Sequence, residues 1–141
     1  MRRSKAAGSP HIGPHEGKEL ELMLSGSKPM ALFWRELGMP DDHVGDSGFA
    51  KHVDEGRILK FTECEPDRSI ETYRYCLPTE EWRAKLSTLI SRMCTDGTAF
   101  EIFTPHDLGR LEGTLLGYSK ESIEAFVANA VTCMPSSDED T

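Results

Sequence analysis

The sequence contains no long apolar run, whereas a membrane-spanning helix needs about 20 consecutive apolar residues. The N-terminal stretch MRRSKAAGSPHIGP is basic but has no apolar core of the kind found in a signal peptide. The four cysteines are far apart and form no CxxC pair, which argues against a zinc site and against the disulfide framework of a small secreted protein. We therefore expect a cytoplasmic protein with free thiols.

Motifs for phosphate binding and for covalent catalysis are also missing. Neither the P-loop motif nor the glycine-rich dinucleotide-binding motif occurs in the sequence. Each cysteine falls in a predicted strand or near a predicted helix end, without the neighbouring signature of an activated nucleophile. The sequence therefore implies no cofactor, and it favours a binding role without excluding catalysis.

Basic residues are too few to support phosphate-backbone recognition by the folded body. The chain has 16 Lys and Arg against 24 Asp and Glu, which gives a formal net charge of −8. This balance argues against direct nucleic-acid binding. The charge is uneven, because residues 1–18 hold four basic residues against one acidic residue, whereas residues 36–55 hold six acidic residues against one basic residue.

The length of 141 residues suits one domain with its own hydrophobic core. The first residues are rich in Gly, Pro and Ser and nearly devoid of apolar side chains, so ordering them would bury too little surface to offset the entropy lost. At the other end, Pro135 precedes a short acidic stretch. We expect a flexible basic arm over 1–14, a single α+β domain over 15–134 and a disordered acidic tail over 135–141.

Local patterns in the first half predict two short helices and three strands. KELELMLSG and GFAKHVDEG favour helix, and the apolar run from Ala31 to Trp34 indicates a buried strand. RILKFTECE and SIETYRYCL are rich in β-forming residues and flank Pro66-Asp67-Arg68, which is typical of a hairpin turn.

The second half predicts mainly helices. A helix should follow Pro78, with Thr79 as its cap and Asp96-Gly97 at its end. Thr98–Phe103 suggests a last strand, and two further helices should be capped by Thr104 and Ser119. Glycines at positions 109, 113 and 117 recur at helical spacing, which indicates close approach of another element. The predicted apolar face of the first of these helices comprises Trp82, Leu86, Leu89, Ile90 and Met93.

Together these elements predict an α+β fold, with a small three- or four-stranded, mostly antiparallel sheet covered by helices and a C-terminal helical pair. Our leading functional hypothesis is a small acidic interaction protein, of the type found in phages or bacterial mobile elements. Such a protein would inhibit, neutralise or regulate a protein partner by presenting carboxylates to its basic surface. The expected partner-binding residues are Asp41, Asp42, Asp46, Asp54 and Glu55.

Three alternatives remain open. A small metal-dependent enzyme or small-molecule-binding domain would use His15, Glu19 and His106, although the His15–Glu19 spacing lacks the second histidine of a zinc-protease motif. A small-molecule sensor could use Tyr73 and Tyr75, which alternate with Arg74 on a predicted strand and can equally pack beneath the helix of Trp82. A homo-oligomer could form through three apolar residues at the end of the first strand and just beyond it. These are Trp34, Leu37 and Met39.

Overall fold

The computed structural model describes residues 17–65, 67 and 69–133 of the chain, with the side chains of Asp41 and of residues 130–133 excepted. The expected basic arm over 1–14, the expected acidic tail over 135–141 and the candidate ligand His15 lie outside the described residues.

Five helices and three strands make up the described chain. The strands are β1 (Met30–Glu36), β2 (Leu59–Glu65) and β3 (Ile70–Cys76), in the order β1-β3-β2, and both pairings are antiparallel. The α+β prediction is therefore confirmed, including the hairpin and the C-terminal helical pair. The helices are α1 (Glu19–Leu24), α2 (Phe49–Asp54), α3 (Glu81–Asp96), α4 (Pro105–Leu116) and α5 (Lys120–Cys133).

The register divides the sheet into two chemically different faces. Phe33 pairs with Tyr73 and Ala31 pairs with Tyr75, so these residues share one face. Leu32 pairs with Arg74, and Trp34 pairs with Thr72, on the other face. Each face is covered by helices, and the polar residues Thr72 and Arg74 are buried on the second one.

The tyrosine face carries the larger apolar core. Phe49 of α2 packs against Tyr75 at 4.4 Å between ring centroids and against Phe33 at 5.5 Å. Met23 of α1 and Ile58 join the same cluster. Core packing of the tyrosines is therefore confirmed, but the covering helix is α2 rather than α3, because strand alternation turns the tyrosines away from the side that α3 occupies.

Helix α3 covers the opposite face with a different set of residues from the one expected. Its buried residues are Ala84 and Ser87, whereas Trp82 and Leu89 are 53% and 52% exposed. Small side chains let the helix approach the sheet, and Ser87 accepts a hydrogen bond from the buried Arg74. The predicted apolar face was therefore wrong at Trp82 and Leu89, since periodicity alone could not reveal that a strand residue requires a polar partner on the helix.

Two further local predictions were wrong. Thr79 caps no helix, because Pro78–Glu80 forms a 3₁₀ turn and α3 begins after it without a side-chain cap. Thr98–Phe103 contains a 3₁₀ turn over Thr98–Glu101 instead of a strand. Asp96 holds that turn, because its Oδ1 accepts hydrogen bonds from the Thr98 backbone amide and hydroxyl at 3.0 and 2.6 Å.

Strand β1 also differs from the expected buried run, since Trp34 is 51% exposed.

Capping and close packing define the C-terminal pair as expected. Thr104 and Asp107 form a reciprocal capping box at the start of α4, and Ser119 Oγ accepts a hydrogen bond from the Ser122 amide at 3.1 Å. A Cβ atom at Gly113 would lie 2.7 Å from Ile123 Cγ1. The glycine therefore permits the close approach of α5, which confirms that interpretation of the spacing.

Two cations fix the C-terminal end of α4 to the rest of the fold. Lys28 Nζ donates to Leu116 O at 2.6 Å, and Arg83 Nη1 donates to Thr114 O at 2.8 Å. These carbonyls carry the negative end of the helix dipole, which favours cations. The position of α4 relative to the sheet is thereby set, and so is the space between them.

Candidate functional site

A cavity of about 590 Å³ lies between the second face of the sheet, the C-terminal half of α3 and helix α4. Strand residues line its floor, while Ser91 of α3 and Glu112 of α4 lie on its walls. We call it the Arg74 cavity, after the arginine of the central strand that borders it. Because its walls come from five secondary-structure elements, only the folded chain creates it.

Arg74 is the buried polar group of this cavity, with a side chain that is 3% exposed. Its Nε donates to Ser87 Oγ at 2.7 Å, and its Nη1 donates to Glu63 Oε1 at 2.7 Å. The third nitrogen, Nη2, has no acceptor among the described residues. A buried donor without an acceptor costs about 1–3 kcal/mol, so an acceptor on a bound molecule would remove a real penalty.

Glu112 supplies a carboxyl group near this guanidinium. The residue faces the open cavity and stays accessible to solvent, yet surrounding protein raises the pKa of its carboxyl above the usual value. Arg74 partly opposes that rise through its charge, although the two groups form no ion pair. Glu112 is therefore a carboxyl group that forms no ion pair with a described residue and lies within the electrostatic range of a buried arginine.

The rest of the lining is mostly apolar. Leu32, Ile90 and Leu108 come from three different elements, and Trp34 contributes a half-exposed indole. Glu36 adds a further exposed carboxylate to the lining. A concave, apolar enclosure with a few polar groups is the usual form of a small-molecule site.

Cys94 also lines the cavity, but it lacks the properties of a nucleophile. Burial, with smaller contributions from Glu112 and Asp96, raises the pKa of its thiol. The thiol therefore stays protonated at neutral pH, whereas nucleophilic cysteines need a lowered pKa. Cys94 is therefore not activated as a nucleophile.

The five residues expected to bind a protein partner are in different environments. Asp46 Oδ2 accepts a hydrogen bond from Tyr75 OH at 2.6 Å, and Glu55 forms an ion pair with Arg57. Asp42 is 86% exposed beside His43, and Asp54 is exposed. The side chain of Asp41 lies outside the described part of the structure. Asp46 thus has a structural role, whereas Asp42 and Asp54 remain available at the surface.

Glu19 and His106 of the alternative metal site are not brought together. Glu19 lies close enough to Lys28 to influence its pKa, and Lys28 contacts Leu116 at the C-terminal end of α4. His106 lies in the first turn of the same helix, about 15 Å away along its axis at 1.5 Å per residue. Among the described residues, no group of three or more His, Cys, Asp or Glu side chains is arranged to hold a metal ion.

Tyr73 and Tyr75, the two tyrosines of the sensor alternative, are buried in the hydrophobic core. Tyr75 is 2% exposed, and Tyr73 OH donates to Glu71 Oε1 at 2.5 Å. A second cavity of about 510 Å³ touches both residues, but the Lys60 ammonium lies over the Tyr73 ring at 4.6 Å from its centroid. Their rings and hydroxyl groups therefore already have partners within the chain.

Comparison of the chain with protein-family models, curated proteins and solved structures gave no match. None of the helices in the described residues has the length and apolar character needed to cross a membrane. The sequence had indicated that Arg74 would oppose two tyrosines across a strand, but nothing in it linked Arg74 to Glu112. An assignment of function therefore depends on the geometry and the charges of the folded chain.

Proposed function

We propose that the protein is a small-molecule-binding domain whose ligand occupies the Arg74 cavity. The observation that supports this function is the buried guanidinium of Arg74, which borders a cavity and has a nitrogen without an acceptor in the described part of the chain. Ligand sites commonly have volumes of about 300–1,000 Å³ and combine apolar walls with a few orienting polar groups. The Arg74 cavity has this size and this composition.

The ion pair between Arg74 and Glu63 supports a binding role because it holds the guanidinium in a fixed orientation. Glu63 is 13% exposed, and its other oxygen lies 3.8 Å from Arg92 Nε. Ser87 fixes the Nε edge of the same guanidinium. A group positioned in this way loses little conformational entropy when a ligand binds, which favours affinity.

Filling the cavity should abolish ligand binding without unfolding the protein. Ser91→Phe places a ring in the cavity wall, and Lys85→Phe is the matched control on the exposed side of the same helix. Both variants are made in a Trp82→Phe background, in which Trp34 is the only tryptophan. The fluorescence of Trp34 then reports on the cavity while anionic, cationic, zwitterionic and neutral fragments are screened. We expect hits that bind the control and lose at least about tenfold in affinity in Ser91→Phe.

Either of two results would contradict the proposal. One is a screen in which no fragment shifts Trp34 fluorescence or the amide resonances of the cavity residues. The other is a set of hits that bind Ser91→Phe and Lys85→Phe equally, because such ligands would occupy another part of the surface. Circular dichroism of both variants shows whether the fold is retained.

The exposed carboxylates near α2 support a second candidate function, which is binding to a protein with a basic surface. Asp42 and Asp54 are exposed and Asp54 has no cationic partner among the described residues. Negative surface charge of this kind accelerates association with a basic partner. This interaction would use a different part of the molecule from the Arg74 cavity.

Charge reversal tests the second candidate directly. We expect Asp42→Lys/Asp54→Lys to weaken capture of a basic partner from a nuclease-treated lysate of the source organism by about tenfold or more at low salt, because attraction becomes repulsion. The melting temperature should barely change, since both residues are exposed. Glu121→Lys/Glu101→Lys, at exposed sites away from α2, is the control for net charge. Equal capture by both double variants would exclude this role.

A further inference from the structure

We propose that the ligand of the Arg74 cavity is a small zwitterion with an apolar body, the class that includes apolar α-amino acids and short dipeptides. This inference rests on the proposed function of the cavity, and it specifies the charge pattern of the ligand. Three observations support it: the unfilled hydrogen-bonding capacity of Arg74, the carboxylates of the lining and the apolar walls.

Arg74 defines the anionic end of the ligand. The nitrogen Nη2 has no acceptor among the described residues, and a carboxylate would form a strong, charge-assisted hydrogen bond with it. Nε donates its single N–H to Ser87, and Nη1 donates one of its two N–H groups to Glu63, so Nη2 and the second N–H of Nη1 remain for the ligand. We therefore expect the ligand carboxylate to bind Nη2.

The carboxylates of the lining disfavour a ligand that is only an anion. Glu63 pairs with Arg74 at 2.7 Å and lies 3.8 Å from Arg92, whereas Glu112 and Glu36 both line the cavity without an ion pair to any described residue. A simple anion would add a negative charge near those carboxylates, which is unfavourable. A simple cation would bind the carboxylates but leave Nη2 without its acceptor.

A zwitterion provides both an acceptor for Arg74 Nη2 and a cation for the carboxylates of the lining. Its carboxylate binds Arg74 and its ammonium lies near Glu112, on the wall formed by α4. The two protein groups form no ion pair with each other, so a ligand that binds both breaks no ion pair between them. The apolar side chain of the ligand then contacts Leu32, Ile90 and Leu108.

Three probes with a common phenyl group separate the charge requirements. L-Phenylalanine carries both charges, 3-phenylpropionate lacks the ammonium group and 2-phenylethylamine lacks the carboxylate. Alanyl-phenylalanine extends the separation between the charges. By isothermal titration calorimetry at neutral pH, we expect one of the two zwitterions to bind at least about tenfold more tightly than either singly charged probe.

The variant Glu112→Gln tests whether the ammonium group of the ligand lies near Glu112. Glu112 is solvent-accessible and makes no ion pair with a described residue, so the variant should fold normally. We expect it to weaken zwitterion binding about tenfold while leaving 3-phenylpropionate unchanged or bound more tightly. Glu121→Gln, an exposed glutamate on α5 away from the cavity, should change neither.

The outcomes distinguish failure of the zwitterion proposal from failure of the proposed binding function. Binding of 3-phenylpropionate or 2-phenylethylamine as tight as that of both zwitterions, or zwitterion binding unchanged in Glu112→Gln, overturns the zwitterion proposal. If fragments of another class still bind in a manner blocked by Ser91→Phe, the proposed function stands. If no probe and no fragment binds the cavity, both proposals fail.

Discussion

Replacing Gly117 with alanine should lower the free energy of unfolding by about 2–5 kcal/mol. Gly117 has φ +86° at the C-terminal end of α4, a conformation that costs an L-residue about 1–2 kcal/mol. Its added Cβ would also lie 2.4 Å from Pro29 Cδ. The proline ring cannot rotate away, so the backbone must shift, at a cost of about 1–3 kcal/mol.

The matched control is Gly26→Ala. Gly26 has a nearly identical φ of +85°, but a Cβ atom there meets nothing within 4 Å. Urea unfolding followed by circular dichroism should therefore show a loss of about 1–2 kcal/mol for Gly26→Ala and a clearly larger loss for Gly117→Ala. Equal losses would show that the contact with Pro29 relaxes without cost and that α4 is less firmly positioned than the structure indicates.

The stability of the protein should rise by about 1 kcal/mol from pH 8 to pH 9, reach a plateau and fall steeply above pH 10. Burial lowers the pKa of Lys28 from 10.5 to about 8, with a smaller opposing effect of Glu19. Between these two values the unfolded chain binds the proton and the folded chain does not, so the free energy of unfolding increases with pH. Lys28 alone thus accounts for the rise.

Two acidic groups produce the fall. Burial, and then the nearby Glu81 and Glu80, raise the pKa of Cys76 from 9.0 to about 11. Burial and the hydrogen bond to Asp46 raise the pKa of Tyr75 above its usual value of 10.0. The unfolded chain releases these protons first, so stability is lost as pH rises above 9 for the thiol and above 10 for the phenol. Above pH 9 the thiol first cancels the effect of Lys28, and the phenol then reverses it.

Variants separate these contributions in urea unfolding from pH 7.5 to pH 11. Lys28→Met should remove the rise between pH 8 and pH 9, and Tyr75→Phe should reduce the slope above pH 10. Comparing slopes rather than absolute stabilities removes the pH-independent cost of each substitution. An unchanged slope between pH 8 and pH 9 in Lys28→Met would mean that the Lys28 ammonium has an ordinary pKa and that its contact with Leu116 is open to water.

Local chemistry explains which elements could be predicted. Thr104 with Pro105, Ser119 and the helix-ending Gly117 act through hydrogen bonds and backbone angles within a few residues, so their signals survive in the sequence. The hairpin has equally local causes, in β-forming runs on either side of a turn. Thr98–Phe103 was misjudged because Asp96, which lies just before it, organises a turn that competes with its strand propensity.

The candidate site could be predicted only in part. Alternation along β3 placed Tyr73 and Tyr75 on one face and Arg74 on the other, and the structure confirms that division. Which helix would cover each face depended on how the connections cross the sheet. Glu19 lies on α1 near Lys28, which contacts the C-terminal end of α4, whereas His106 lies in the first turn of α4. The sequence could not specify where α1 would pack.

The sequence by itself determined the α+β class, the C-terminal helical pair and the close approach of α5 at Gly113, because caps, periodicity and missing side chains act over short distances. Only the tertiary structure decided that Lys28 would be buried against the end of α4, that Ala84 and Ser87 would face the sheet, and that Glu112 would lie near Arg74. These arrangements depend on contacts between residues far apart in the chain, whose hydrogen bonds and desolvation exist only after the elements have packed.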